Sequence, residues 1–586
     1  MTLKPASAGF FMTKNASFSS RFSRLGFLAL TCAWLAYDHY RPWVNFHSEF
    51  LAFAGLAGLW VGLLREFSSA PAPASSSAPS TSIAIPRISL WIGILAIVPW
   101  LQHAFGMTVF AGDAFIASFY IAGCALAIGV GYAGSRAWIH SVWIAALVSA
   151  AIGLAQWFHV EGIVFGMFAV AVESGDRAMG NMGQANQLAS LLLMGIVALL
   201  YALECGIVRY GVAGIAIGFI SVVLILTQSR SGMVGALFAA VWLMLKTPHR
   251  AIIGLWLVCF VLGTWALPYL SDELRGVGVR GLHATAPISQ RWDLWQQMLH
   301  AIAESPWFGY GWNQTPAAQA GGALGHPHAI VGGYAHNGVL DLLAWNGIPL
   351  GLLLCGAIGY WFISRLRRCH SLHAIYAMAS LGVLAIHSLL EYPFAYAYFL
   401  ITAGLLIGMI EADMSSSSSS PSSPSSPSSS FLFRLPQRGM KGILAVLIPL
   451  GLFSGYEYVQ IEEDFRVVRY SAMNIHDYAD PSYQAPKVVL LTQLGAWLEA
   501  KRITVTPTLS GQNTELLGAT ARRFADDALW CNYAKALALN HNPAASDSVH
   551  SELRIIHALF GEHSYRMCFS QLSNLAIQQL PPTTNH

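Results

Sequence analysis

Charge is what this 586-residue chain has least of: Asp, Glu, Lys and Arg make up 10% of it, against 55% hydrophobic residues. Soluble domains carry roughly 25% charged residues, so an ordinary globular enzyme is excluded at the outset. The 32 basic and 29 acidic residues leave a net charge of +3, too small and too dispersed for a nucleic-acid surface. CxxC, HExxH and comparable metal-ligand spacings are missing. So is the internal repeat that marks many transporters.

What the chain has is apolar length, with a mean hydropathy of +0.52. A helix needs roughly 20 apolar residues to cross a bilayer, and about thirteen segments approach that length. They are Leu25–Tyr37, Ser48–Leu64, Ile88–Phe105, Ala114–Ala133, Trp138–Phe158, Gln187–Leu203 and Gly211–Thr227, followed by Met233–Leu245, Ile252–Leu270, Ile348–Ile363, Ile375–Leu390, Phe394–Ile410 and Ile443–Val459. With residues 1–24 in the cytoplasm, the cytoplasmic side receives Lys4, Lys14, Arg21, Arg24, Arg65, Arg87, Arg136, Arg209, Lys246, Arg250, Arg365, Arg367, Arg368, Arg434, Arg438 and Lys441. Short external segments keep Arg41, Arg177 and Arg230, and a long external loop within residues 271–347 adds Arg275, Arg280 and Arg291. That asymmetry obeys the positive-inside rule. The expected fold is therefore all-α and polytopic, with a membrane domain over 25–413.

Residues 415–430 read SSSSSSPSSPSSPSSS, which has no means of building a core and predicts a cytoplasmic linker over about 414–442. A final span at 443–459 then delivers a polar segment, 460–586, to the external side, with apolar residues at helical spacing such as Ala534, Leu537 and Ala538. This predicts a small helical external domain. It contains Cys531 and Cys568, which an oxidising compartment could join as a disulfide or leave as two buried thiols.

Arginine outside the cytoplasmic loops is the informative chemistry. Arg177 lies in SGDRAMGNMGQANQLAS, Arg230 in LTQSRSGMVG and Arg291 in SQRWDLWQQMLH. Guanidinium groups at a membrane surface offer planar bidentate donors to a phosphate or diphosphate; snorkelling, or pairing with Asp176, Asp293 or Glu304, is the plainer use. His336, in Tyr334-Ala335-His336-Asn337, stands at the mouth of a span where imidazole can accept a proton, and Asn337 can cap the following helix. Glu391, in HSLLEYPF, is costly at its depth unless an arginine pairs with it. Tyr392 beside it serves as an interfacial anchor or a hydrogen-bonding site residue. Gln184, Asn186 and Gln187 place amides near Arg177 or cap their own helix.

The combination of GNMGQANQLASLL, LTQSRSGMVG, RWDLWQQMLHAIAESPWFGYGWNQ and YAHNGVLDLLAWNGIPLG resembles the O-antigen ligase and O-antigen polymerase superfamily. HYRPWVNFHSEF, HSLLEYPF and the extra C-terminal domain are more similar to its PglL-type branch, the bacterial protein O-oligosaccharyltransferases. The resemblance covers roughly residues 25–410. It implies a bacterial inner-membrane enzyme, with a periplasmic catalytic loop and C-terminal domain, that moves a preassembled glycan from undecaprenyl diphosphate to Ser/Thr hydroxyls of periplasmic proteins such as pilin. Lipid A–core ligation and O-antigen polymerisation are its alternatives within the superfamily, and transport of a lipid-linked glycan is the remote one. By the same resemblance Arg177, Arg230, Arg291 and His336 are functional positions, with Gln184 and Tyr392 added in protein-transferring members. Apart from the resemblance, Asn186, Asn337, Arg280 and Glu391 are candidates for contacting substrate. No metal or other cofactor is expected, because arginines can stabilise a leaving diphosphate and one imidazole can take the acceptor proton. No paired carboxylates of the glycosidase kind accompany these motifs.

Overall fold

The computed structural model describes residues 20–37, 41–69, 82–134, 136–172, 177–275, 286–417, 432–473, 475, 483–539 and 543–578. Small residues set its first packing: α1 (Arg21–Leu35) and α2 (Phe46–Ser69) cross where Gly26 meets Gly55 and Gly58. A Cβ on Gly26 would stand 2.7 Å from the Leu59 nitrogen, the close backbone approach that membrane helices use in place of a hydrophobic driving force. After β1 (Ser82–Pro86), the predicted single span at 88–105 is two helices, α3 (Arg87–Leu95) and α4 (Val98–Ala104). Pro99 near the start of α4 has no N–H for the turn before it, so the helix restarts.

The bundle continues with α5 (Ala111–Ala133), α6 (Ile139–Trp157), the short α7 (Glu161–Val164), α8 (Ala185–Glu204), α9 (Tyr210–Leu226), α10 (Arg230–Lys246) and α11 (Arg250–Arg275). Helix α8 is the hub of the main core, buried along nearly its whole length. The long loop between α11 and α14 is itself folded where it is described: α12 (Ala286–Glu304) and α13 (Thr315–Gly322) form a small core around Leu294, Met298, Ala301 and Ala318. Then come α14 (Gly338–Arg368), α15 (Leu372–Leu390), α16 (Ala397–Ser417), β2 (Leu432–Pro436) and α17 (Gln437–Ala472), followed by α18 (Thr492–Arg502), α19 (Gly511–Phe524), α20 (Asp527–Leu539) and α21 (Pro543–Gln578).

Among the described residues nine helices are long and apolar enough to cross a bilayer. The other predicted segments fall on α1, α9, α10 and the α3–α4 pair. The chain is an α-helical polytopic membrane protein, with one departure from all-α. Strands β1 and β2 pair antiparallel, Ser82 opposite Pro436, with Ile83 and Ile85 buried. Within the 414–442 interval, therefore, α16 runs on to Ser417 and β2 begins at Leu432; residues 418–431 lie outside the described residues. The segment read as a final span at 443–459 belongs to the 36-residue helix α17, which carries Tyr458, Ile461 and Val468 into the core of the C-terminal domain without a break.

Cys531 and Cys568 are joined, their Cα atoms 5.5 Å apart. The bond closes a 37-residue separation between α20 and α21. Replacing both by alanine should destabilise the C-terminal domain by about 2–4 kcal/mol, read as faster limited proteolysis of that domain while the membrane helices stay protected.

One sequence motif has its reason in helix α14, which breaks at Gly347 (φ 73°) two residues before Pro349. The break strands backbone groups in the interior. Tyr310 and Gly311 donate N–H groups to the Ala344 and Trp345 carbonyls at 2.8 and 3.1 Å, and Ile348 donates to the Pro306 carbonyl at 2.7 Å. The WFGYGWNQ stretch is thus the backbone patch of a broken helix. Gly309 (φ 72°) leaves no room for a Cβ, which would sit 2.4 Å from the Ala344 oxygen.

Candidate active site

Three helices, α8, α10 and α14, begin at one end of the bundle, where α15 finishes at Leu390 and Glu391 follows. Glu391 is the only acid in HSLLEYPF and is 2% exposed at its side chain. Arg291 from α12 forms an ion pair with its Oε1, and the Asn186 amide donates to the same oxygen at 2.8 Å. Oε2 takes the His336 Nδ1 contact at 2.5 Å and the Gln184 amide at 3.3 Å. The helix N-termini around it present positive ends. Burial works to raise the Glu391 carboxyl, but the His336 hydrogen bond and the His336, Arg291 and His387 charges outweigh it, holding the group below the usual carboxylate range.

Each partner is held by its local sequence. Gly183 (φ 66°) turns the chain so that Gln184 starts α8 in extended backbone, its side chain free of capping and directed to Glu391. Asn186 is a bridge: Ser229, the side-chain cap of α10, donates its hydroxyl to the Asn186 oxygen at 2.7 Å. Arg230 is the next residue, and Arg177 donates to the Gln228 carbonyl of the same turn at 3.5 Å. His336 has a left-handed backbone (φ 53°), and Asn337 after it caps α14 by accepting from Val339 and Leu340. The Tyr392 ring meets His336 edge-on, centroids 4.8 Å apart, and stacks on Tyr334 at 4.9 Å. Burial, then the Glu391 charge, pushes the Tyr392 phenol above its ordinary value, so it stays protonated.

The sequence candidates are therefore not equivalent. Gln184, Asn186, Arg291, His336 and Glu391 form one hydrogen-bonded group, Tyr392 packs on its histidine, and Ser229 links the group to the peptide that bears Arg230. Glu391 and Asn186 are buried and occupied by protein partners, so they suit holding the site rather than touching substrate. Asn337 is a helix cap. Arg280 lies outside the described residues. Asp293, one of the acids considered for the arginines, meets His326 at 3.4 Å, while the arginine on its own helix goes to Glu391. Sequence reasoning missed Asp341, whose Oδ1 accepts the Ala335 N–H at 3.0 Å and the Thr315 hydroxyl at 2.8 Å. An acid inside GVLDLLAW is the same intramembrane signal that singled out Glu391.

In chemical terms the site offers a reachable imidazole, 26% exposed, backed by a buried carboxylate. A carboxylate there fixes which ring nitrogen carries the proton and leaves the other to accept one. Arg291 lies in the cluster, and Arg177 reaches the Gln228 carbonyl in the turn that precedes Arg230.

Fold and site together define a multispanning α-helical membrane protein with a histidine–carboxylate–arginine centre at one end of its bundle. Comparison with known proteins shows what this class is similar to. Residues 215–355 match the O-antigen ligase family, 178–203 the protein glycosylation ligase family, and 375–570 the C-terminal part of the virulence factor membrane-bound polymerase family. The chain is 29% identical over 428 residues to the general O-oligosaccharyltransferase of Acinetobacter baylyi, a match covering 68% of this chain and 72% of that one. It is 29% identical over 257 residues to the ComP-specific O-oligosaccharyltransferase of the same organism, covering 42% of this chain and 46% of that one. These matches mark the chain as a glycosyltransferase similar to the PglL-type O-oligosaccharyltransferases and to the O-antigen ligases.

Proposed function

We propose that this protein transfers a complete glycan from undecaprenyl diphosphate to Ser/Thr hydroxyls of periplasmic proteins, pilin among them, in the bacterial inner membrane. Thirteen spans with a cytoplasmic N-terminus put the Glu391 cluster and the C-terminal domain on the periplasmic side. The observation that carries the reading is the meeting of His336 and Arg291 on Glu391, residues far apart in sequence and drawn from three of the motifs. His336 Nε2 takes the acceptor proton as the hydroxyl oxygen bonds to the anomeric carbon. The bond from that carbon to the diphosphate oxygen breaks, and undecaprenyl diphosphate leaves. Attack opposite the leaving group inverts the anomeric configuration. Arg177 and Arg230, with the free edge of Arg291, receive the charge that develops on the diphosphate; Tyr392 and Gln184 hold the base and its carboxylate. No metal enters this scheme.

Purified protein supplied with an undecaprenyl-diphosphate glycan and, in parallel, a pilin-like acceptor or lipid A–core tests it. Glycosylated protein with an inverted linkage is expected. Product on lipid A–core alone, or glycan chain extension without acceptor, would transfer the assignment to the ligase or polymerase alternatives. Arg177→Lys and Arg230→Lys keep the charge and lose the bidentate fork. Each should reduce transfer about tenfold or more, with weaker donor binding and unchanged acceptor KM.

A further inference from the structure

The C-terminal domain does more than rest on the membrane bundle. Arg523 of α19 reaches Asp113 at the start of α5, its Nε meeting the two carboxylate oxygens at 2.8 and 2.9 Å and its Nη2 lying 2.6 Å from Oδ1. Asp113 is 2% exposed and shares Oδ2 with the Gln314 amide at 3.1 Å. Gln314 is the cap residue of α13, and the next residue, Thr315, donates its hydroxyl to Asp341 at 2.8 Å while accepting the Trp345 indole N–H at 2.8 Å. Asp341 in turn accepts the N–H of Ala335, the residue before His336. A non-glycine residue keeps a left-handed backbone such as that of His336 where its surroundings over-determine it. These contacts, with the Trp295 indole N–H on the Ala335 carbonyl at 3.0 Å, are part of what surrounds it.

A second line runs through the rings. Tyr334 is stacked on Tyr392, which touches His336, and the Arg523 charge acts on the Tyr334 phenol, drawing it downward against the larger upward push of burial.

We propose that Arg523 is a positioning residue for the transfer reaction, holding His336 in place through Asp113, Gln314 and the Thr315–Asp341 anchor, so that the C-terminal domain completes the catalytic site. The proposal rests on the reading of His336 as the base. The domain has other attachments, the Thr492 hydroxyl on the Gly112 N–H at 2.8 Å and the His328 N–H on the Ala558 carbonyl at 2.6 Å. Altering Arg523 alone therefore leaves it docked.

The test uses full-length protein in lipid nanodiscs with an undecaprenyl-diphosphate glycan and a defined acceptor protein. Arg523→Gln and Thr315→Val should each lower kcat about tenfold or more, the scale of a small misplacement of a reacting group. Acceptor KM and donor Kd should stay within about twofold, since neither residue touches substrate. Arg523→Lys, which retains one charged contact, should fall between wild type and Arg523→Gln, and it decides the matter by the same criteria if Arg523→Gln does not accumulate. The double variant Arg523→Gln/Thr315→Val should be no slower than the slower single, because both act through one anchor. Unchanged kcat, a loss confined to acceptor KM, or losses that multiply would overturn the proposal. His336→Ala measured alongside separates the two ideas. If it is inactive while the Arg523 variants match wild type, this inference alone fails; if it is active, the reading of His336 as the base fails.

Discussion

Glu391→Gln is expected to reduce glycan transfer by about 10²–10⁴-fold, the range associated with loss of a working general base. The substitution keeps the shape of the side chain and removes its charge. Arg291 and His336 then lose the carboxylate they share, and the imidazole no longer has a fixed partner at Nδ1. Removing one member of a buried ion pair costs about 3–5 kcal/mol, so a lower unfolding temperature should accompany the lost activity. Glu391→Asp keeps the charge on a stem one methylene shorter and cannot span Arg291, His336, Asn186 and Gln184 together. It should be better than Glu391→Gln and well below wild type. Rates from purified protein, normalised to folded material, check both.

His336→Ala should be equally damaging to transfer and harmless to insertion. The imidazole is partly exposed at the start of α14, whose cap is Asn337 and not the histidine, so the helix start survives the change. A fall of about 10²–10⁴-fold in kcat is expected. Donor binding should persist, because the diphosphate is assigned to arginines. A loss of only a few-fold would make His336 an acceptor-positioning group, and loss of donor binding would move it into the diphosphate site.

Much of this arrangement was legible in the sequence because membrane chemistry makes exceptions conspicuous. Apolar length gave the helices, and the scarcity of charge made Arg177, Arg230, Arg291 and Glu391 stand out. An arginine partner for Glu391 followed from the cost of a lone buried carboxylate. Which arginine it would be did not follow, since Arg291 lies 100 residues away and only tertiary packing selects it. Periodicity could not foresee that α14 breaks at Gly347, that 88–105 divides at Ala96–Ile97 just before Pro99, or that α17 continues into the C-terminal domain, because hydropathy is blind to where a helix axis bends. The β1–β2 ribbon escaped for another reason: SIAIP and LFRLP are too short to separate from helix by pattern. Asn186 was read as a possible substrate contact and is a bridge between Ser229 and Glu391. An amide's role depends on what the fold brings to its other side.

The central claim is that His336 and Glu391 act as one unit, and the most direct measurement is a double-mutant cycle on single-turnover transfer from a defined lipid diphosphate donor to a defined acceptor protein. Residues that work as a unit are strongly non-additive. The account predicts that the double variant His336→Ala/Glu391→Gln is slower than His336→Ala by far less than the factor Glu391→Gln costs on its own, because only the hold of the carboxylate on Arg291 and the two amides is then left to lose. If the two losses instead multiply, with Glu391→Gln still reducing the rate by its full factor in the absence of the imidazole, Glu391 acts independently of His336 and the proposed base pair is wrong.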